Sequence, residues 1–81
     1  AEKELYIADL YYRTDEWQHA LVRYEKYIRE FPGHDKQAHA HYRAALAAEN
    51  FGDESKRNSL FRTLIKKYPG SDQAKRAKGI L

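Results

Sequence analysis

Histidine offers the most varied chemistry in this chain, because its side chain binds metals and transfers protons near neutral pH. The 81 residues include four histidines and no cysteine, which excludes thiolate ligands, disulfides and cysteine nucleophiles. His39 and His41 are two residues apart, so on a helix their side chains point about 200° apart and cannot share a metal. His34 approaches His41 only across the start of a helix. We therefore predict no metal site and no cofactor.

Catalytic motifs are also absent from the sequence. It contains no glycine-rich phosphate loop, no His-Glu-x-x-His motif and no nucleophile elbow. The serines Ser55, Ser59 and Ser71 have no histidine placed to orient them. The carboxylates fall on solvated helix faces, where Glu25 and Arg29 form an ordinary i, i+4 pair. These observations predict a protein that is not an enzyme.

One sequence pattern occurs twice in the chain, which indicates a repeat architecture. Phe31-Pro32-Gly33 recurs as Tyr68-Pro69-Gly70, an offset of 37 residues. A polar link and the start of another helix follow each proline. Helical repeats have periods in this range, and the tetratricopeptide repeat has about 34 residues.

Apolar residues recur every three to four positions, which predicts amphipathic helices along the whole chain. Pro32 lacks the N–H that a helix needs to continue, and Gly33 tolerates a left-handed turn. Asp15, with Gln18 three positions later, is expected to cap the second helix, and Ser71 to cap the last. The sequence has no sustained alternation of apolar and polar residues, so no strand is predicted. The predicted helices are 2–13, 16–31, 36–50, 54–68 and 72–79.

The pattern predicts an all-α fold, a tetratricopeptide-like α-solenoid fragment of two antiparallel helical hairpins and a short C-terminal helix. A single domain, 1–81, then comprises repeat one (1–34), repeat two (35–70) and a capping helix (71–81). Repeats bury their apolar faces only against neighbours, and about three are usually needed for stability. We therefore expect the chain to be part of a longer protein, or to oligomerise through an exposed hairpin face.

The resemblance to tetratricopeptide repeats rests on the signature W-x2-L-G-x2-Y, then A-x3-F, then P. Glu4 and His41 stand in the tryptophan position of the two copies. Arg57 stands where a small residue is needed, so either the second hairpin packs more openly or Arg57 extends toward solvent from a shifted helix. The first copy fits without a gap through Ile7, Ala8, Tyr11, Ala20, Tyr24 and Pro32. The second copy fits through Ala44, Ala45, Ala48, Phe61 and Pro69.

A narrower resemblance is carried by the segments 5–13, 20–25, 31–33 and 68–71. They are similar to the repeats of the BamD (YfiO) family, outer-membrane lipoproteins of the bacterial machinery that folds β-barrel proteins. The segment 68–71 also suits CpoB, the periplasmic Tol–Pal coordinator family. The resemblance implies a non-catalytic scaffold on the periplasmic side of the outer membrane. Its expected partners are proteins or peptides, among them other outer-membrane assembly subunits.

Aromatic and polar side chains recur on the first helix of each hairpin, on the side that lines the concave groove in this architecture. Amphipathic aromatic residues are effective anchors, because they bury a large area at low entropy cost. The Lys and Asn residues that clamp a C-terminal carboxylate in some such grooves are missing, which favours a hydrophobic or mixed groove. The alternative is that these residues are ordinary surface residues. The candidate partner-binding residues are Leu5, Asp9, Tyr12, Arg13, His39, Tyr42 and Leu46.

The net charge of +3 is unevenly distributed along the chain. Residues 1–40 contain six Lys and Arg against eight Asp and Glu, whereas residues 41–81 contain nine against four. A basic surface in the second part is therefore an alternative functional feature, suited to anionic membrane lipid, an acidic partner or nucleic acid. No reading helix or stacking platform accompanies the charge, so no specific nucleic-acid binding is expected. The basic residues are Arg57, Arg62, Lys66, Lys67, Lys75, Arg76 and Lys78.

Overall fold

The computed structural model describes residues 1–81 as five α-helices, with no β-strand. This confirms the predicted all-α fold of two hairpins and a C-terminal helix, and each helix lies within one residue of its predicted bounds. None of the helices combines the length and the apolar composition needed to cross a bilayer. The helices are α1 (Glu2–Arg13), α2 (Trp17–Glu30), α3 (Gln37–Phe51), α4 (Glu54–Lys67) and α5 (Asp72–Ile80).

The five helices form two layers. Helices α1, α3 and α5 form an inner layer in which each contacts the next, and α2 and α4 form an outer layer. No Cα atoms of α2 and α4 come within 8 Å of each other, although an ion pair of 2.8 Å joins Lys56 Nζ to Glu25 Oε2. Glu25 therefore pairs across the repeats and not with Arg29. Because neighbouring repeats approach more closely in the inner layer, the stack curves and the inner layer is its concave side.

Alanines allow the helices of the first hairpin to approach closely. Ala8 and Ala20 are completely buried, as the tetratricopeptide signature predicts for positions where helix axes cross. The rings of Tyr24 and Tyr27 on α2 are buried beside them and are the largest fully buried side chains of the protein. The α3 residues that pack against α2 in the same cluster are Ala40, Ala44, Ala47 and Ala48.

The second hairpin has a smaller core, in which α5 covers part of α4. Phe61 and Leu64 are fully buried against Ala45 of α3 and two alanines of α5. Arg57 occupies the position equivalent to Ala20, and its side chain is 14% exposed. Its guanidinium group reaches Glu49 at 2.5 Å and also contacts Glu54. The charged end of Arg57 is therefore neutralised by two carboxylates at the protein surface, while α4 keeps the same bounds relative to the repeat as α2 and is not shifted.

The two hairpin turns use different residues at equivalent positions. Asp15 has a positive φ of 62°, and Gly52, 37 residues later, has a φ of 101°. The prediction that Asp15 caps α2 is wrong, because Glu16 is the N-cap and makes no side-chain cap bond. In the second turn, Asp53 does cap its helix by accepting a hydrogen bond of 3.0 Å from the backbone N of Lys56. Left-handed backbone favours glycine, so the second turn is chemically better suited to its geometry.

Side chains from the following helix close the C-terminal ends of α2 and α4. Gln37 is 2% exposed and its Nε2 donates to the carbonyl oxygen of Phe31 at 2.6 Å. Ser71 Oγ donates to the carbonyl oxygen of Tyr68 at 2.8 Å and accepts from Ala74 N, which confirms the predicted cap of α5. Gly33 does not have the predicted left-handed conformation, because Gly52 is the only glycine with a positive φ. The hydrogen bonds from Gln37 and Ser71 satisfy carbonyl groups that a helix end leaves free.

Candidate partner-binding site

Asp9 lies at the centre of a polar cluster that joins three helices. Its Oδ1 atom accepts hydrogen bonds from the Tyr24 hydroxyl, from His39 Nε2 at 2.9 Å and from Arg43 Nη1 at 3.3 Å. The donors come from α2 and α3, while Asp9 belongs to α1. One carboxylate therefore connects both helices of the first hairpin to the first helix of the second. We call Asp9, Tyr24, His39 and Arg43 the Asp9 cluster.

The environment of the Asp9 cluster keeps Tyr24 protonated. Burial raises the pKa of the Tyr24 hydroxyl far above its ordinary value, and the hydrogen bond to Asp9 raises that pKa further. The side chains of Asp9, His39 and Arg43 are only 22%, 28% and 31% exposed, so these polar groups are partly shielded from water. Hydrogen bonds to a charged group are stronger than neutral ones in such surroundings. The cluster therefore holds α1, α2 and α3 together on the concave side.

Tyr12 extends this support into an aromatic surface. Arg43 Cζ lies 4.4 Å from the centroid of the Tyr12 ring, a cation–π contact, so Arg43 binds Asp9 and Tyr12 together. The Tyr12 ring also packs edge-on against Trp17 and Tyr24, with centroid distances of 5.3 and 6.2 Å. Burial raises the pKa of Tyr12, and Arg43 acts in the opposite direction. The ring is half-buried, which fixes its orientation and leaves part of it accessible to a partner.

Leu5 lies one helical turn before Asp9, at the edge of a cleft of about 290 Å³. The cleft opens between the first half of α1 and the link from α2 to α3. Its lining combines two apolar side chains with three carboxylates, a histidine and a lysine. The lining residues are Glu2, Leu5, Tyr6, Asp9, His34, Asp35 and Lys36. This composition agrees with a groove of mixed character.

Tyr42 and Leu46 lie further along the inner layer, beside the second core cluster. The Tyr42 ring packs against Phe61 with a centroid distance of 5.7 Å, and both Tyr42 and Leu46 are half-buried. Tyr42 is close enough to Tyr12 to contribute to the raised pKa of the Tyr12 hydroxyl. The two tyrosines therefore connect the surface of the first repeat to that of the second.

Arg13 is the only candidate residue that is exposed, whereas the other six are half-buried. It is exposed, and its guanidinium carbon lies 6.0 Å from the centroid of the Tyr6 ring, two turns earlier on α1. No hydrogen bond or ion pair joins Arg13 to the Asp9 cluster. It flanks the candidate surface and does not belong to its centre.

Two central residues of the site, Tyr24 and Arg43, were not among those proposed from the sequence. Tyr24 is a core position of the repeat signature, and the sequence does not show which group its hydroxyl contacts. Arg43 follows His39 by four residues, a spacing that places both side chains on one face of α3. This spacing is a sequence signal for Arg43, but Asp9, the carboxylate that Arg43 binds, lies 34 residues away.

The histidines are engaged with separate partners. His34 Nδ1 lies 2.7 Å from the Tyr27 hydroxyl, and His41 Nδ1 donates to the carbonyl oxygen of Gln37 at 2.8 Å. His39 is bound to Asp9, and His19 packs beside Tyr11. No three His, Asp and Glu side chains are arranged to hold a metal ion. The arrangement is suited to holding helices and presenting aromatic side chains.

Comparison with protein families gives one match that covers the chain. A family model described as YfiO, outer membrane lipoprotein, matches residues 1–81. No curated protein matches the chain. The family match confirms the resemblance carried by segments 5–13, 20–25 and 31–33, and favours it over the CpoB resemblance. It also confirms the predicted location in the cell envelope, on the periplasmic side of the outer membrane.

Proposed function

Because the chain belongs to the YfiO family of outer membrane lipoproteins, we propose that it is a scaffold in the assembly of outer-membrane β-barrel proteins. The family consists of non-catalytic scaffold lipoproteins that interact with other proteins. Within that role, the proposed partners are other subunits of the assembly machinery. The proposed contact surface is the concave side of the inner layer.

The observation that supports this proposal is the Asp9 cluster and the aromatic surface that it holds. Leu5, Tyr12, Tyr42 and Leu46 are each half-buried, so they are held by packing and remain partly accessible. Arg43 fixes the Tyr12 ring, and Asp9 fixes Arg43. Side chains that are already ordered lose little entropy on binding, which raises affinity for a given contact area.

The chemistry of the surface indicates the kind of segment that it binds. Tyrosine and leucine side chains bury apolar groups, and the tyrosine hydroxyls add hydrogen bonds. The carboxylates around the cleft at Leu5 favour a basic or amide group at that end. The proposed ligand is therefore a peptide segment or helix with apolar side chains and at least one polar donor. An all-apolar ligand fits this lining less well.

Site-specific photo-crosslinking in the full-length protein tests the proposal. A photoreactive phenylalanine analogue at Tyr42 is expected to crosslink to an outer-membrane assembly subunit in living cells. The matched control is Val22, which is 58% exposed on the outer layer and is expected to give no such product. Equal crosslinking from both positions would contradict the concave side as the contact surface.

The CpoB-like alternative predicts a different crosslinked partner. A product that contains Tol–Pal components, with no assembly subunit, would favour a coordinating role in the cell envelope. A Tyr12→Ala variant adds a functional measurement, the level of folded β-barrel proteins in the outer membrane. A level that stays normal while the variant protein is folded and abundant would count against the assembly role.

A further inference from the structure

The fold separates charge between its two layers in a way that the linear sequence does not show. Helices α2 and α4 carry eight Lys and Arg residues against three Glu. Helices α1, α3 and α5 carry six Lys and Arg against five Asp and Glu. The excess of positive charge is therefore concentrated on the outer layer. The contrast between the two halves of the sequence is only an indirect sign of this arrangement.

Most positive charges of the outer layer have no anionic partner. Glu25 pairs with Lys56, and Glu54 pairs with Arg57, so Glu30 is the only unpaired carboxylate of α2 and α4. Six cations of these two helices form no ion pair within 4.0 Å. They are Arg23, Lys26, Arg29, Arg62, Lys66 and Lys67. Unpaired surface cations in this number create a positive potential that attracts an anionic surface.

Four of these cations, together with Val22, form one outward face. Lys26 and Arg29 of α2 and Arg62 and Lys66 of α4 are all exposed, on the side of each helix opposite its buried residues. Arg29 and Lys66 occupy equivalent positions in the two repeats, 37 residues apart. Val22 contributes an exposed apolar side chain in the same region. We call Val22, Lys26, Arg29, Arg62 and Lys66 the outward face.

We propose that the outward face binds the anionic phospholipid headgroups of the membrane surface beside which this lipoprotein family resides. Lysine and arginine near an anionic bilayer contribute about 1 kcal/mol each, and an exposed apolar side chain among them adds interfacial burial. The long side chains reach phosphate groups without a preformed pocket. Because the outward face and the concave side belong to opposite layers, such binding leaves the concave surface free for protein partners.

An acidic protein is the competing occupant of this face. Two features favour a bilayer. The cations are spread over two helices, and the one cleft of the protein is lined by residues of neither helix. A protein interface of standard size has an apolar core. The family is located at a membrane, which presents a continuous surface of phosphate groups. A broad, convex, basic surface matches that geometry better than a partner with localised carboxylates.

Vesicle flotation with the 81-residue chain tests the proposal. The probes are vesicles of phosphatidylglycerol mixed with phosphatidylcholine, and vesicles of phosphatidylcholine alone. Binding is expected only to the anionic vesicles, and it should weaken as salt screens the charges. The double variant Arg29→Gln and Lys66→Gln should lower the partition coefficient about 30-fold, which corresponds to about 2 kcal/mol for two cations.

A second pair of variants separates the outward face from a general effect of net charge. Lys75→Gln with Lys78→Gln removes the same charge from two exposed residues of α5, in the inner layer. This pair should change vesicle binding less than threefold, because only long-range attraction is lost. Equal losses for both pairs would overturn the assignment to the outward face. Equal binding to neutral vesicles, or tighter binding of an acidic protein to the face at the same salt, would overturn the lipid assignment.

Discussion

Asp9 and Arg43 are 34 residues apart in the sequence and form an ion pair with 3.3 Å between Oδ1 and Nη1. The pair joins the first helix of one repeat to the first helix of the next, and its Arg43 also contacts the Tyr12 ring. It therefore links the stability of the repeat junction to the geometry of the proposed contact surface.

Replacing Asp9 by Asn should destabilise the chain by about 1–2 kcal/mol, because three donors lose a partly shielded charged acceptor. The free energy of unfolding from urea titration measures this change. The control is Glu49→Gln, whose more exposed carboxylate pairs with Arg57. We expect that control to change the free energy by less than about 1 kcal/mol. Equal effects of the two substitutions would show that the Asp9 cluster has no special role in stability.

His41 should make the stability of the chain depend on pH. Its side chain is 2% exposed, and burial lowers its pKa below the ordinary value of 6.5. The unfolded chain then binds a proton at His41 more readily than the folded chain, so stability falls as the pH drops below 6.5 toward the lowered pKa. Urea titrations above and below that pH should show a smaller loss in His41→Gln. The exposed residue His19 provides the control, since His19→Gln should keep the pH dependence of the parent.

The first hairpin turn has Asp15 at a positive φ, where the second turn has Gly52. Asp15→Gly should stabilise the chain by about 0.5–1 kcal/mol, because glycine adopts a positive φ without the steric cost of a Cβ atom. Thermal unfolding followed by circular dichroism measures the change. In the second turn, Gly52→Ala places a Cβ atom at a positive φ and should destabilise the chain by about 1–2 kcal/mol. A stabilising Gly52→Ala would contradict the assignment of a left-handed residue at this turn.

The crossing of α1 and α2 should not tolerate a large side chain. Ala20→Leu should cost about 1–3 kcal/mol, because Ala20 is fully buried and an added side chain would force the helix axes apart. Arg57 occupies the equivalent position of the second hairpin and already accommodates a long side chain. Arg57→Leu is therefore expected to cost less than Ala20→Leu when both are compared by urea unfolding. The opposite order would mean that the two hairpins cross differently from the arrangement described.

The face of α1 that no other helix covers should promote association of the 81-residue chain. Tyr6 and Leu10 are 60% and 42% exposed, and their equivalents 37 residues later lie on the side of α3 that packs against the first hairpin. We expect sedimentation to show self-association that increases with concentration, since an exposed apolar helix face favours a helix partner. Leu10→Lys should weaken that association, while the same change at Phe51, exposed on α3, should have less effect. A monomer at all concentrations would contradict this prediction.

Helix positions and hairpin pairing could be predicted from the sequence because they depend on local properties. The spacing of apolar residues, the prolines at 32 and 69 and the serine before α5 act within a few residues of the elements that they define. The small residues at Ala8 and Ala20 follow from the repeat signature for the same reason. The sequence does not predict the start of α2 correctly, because the backbone at Asp15 is left-handed and the N-cap position falls on Glu16, whose side chain makes no cap bond.

The contact network of the site required the tertiary structure. The sequence indicates that Asp9, His39 and Tyr12 lie on the concave side, but it does not indicate that Arg43 joins Asp9 to Tyr12. The contact depends on the relative rotation of α1 and α3, which packing of the alanines of α3 against α2 determines. The pairing of Asp9 with Arg43, 34 residues away, is decided by how the layers assemble and not by the sequence of any single helix.

The sequence by itself determined five helices, their repeat relationship and the residues that lie at their crossings, because backbone hydrogen bonds and apolar periodicity are local. Only the tertiary structure decided which charges meet and which remain unpaired. Charges that appear mixed along the chain are separated when alternate helices enter alternate layers, which leaves Arg29 and Lys66 on one side and the Asp9 cluster on the other. The physical reason is that electrostatic interactions depend on distance in space, and the fold sets that distance.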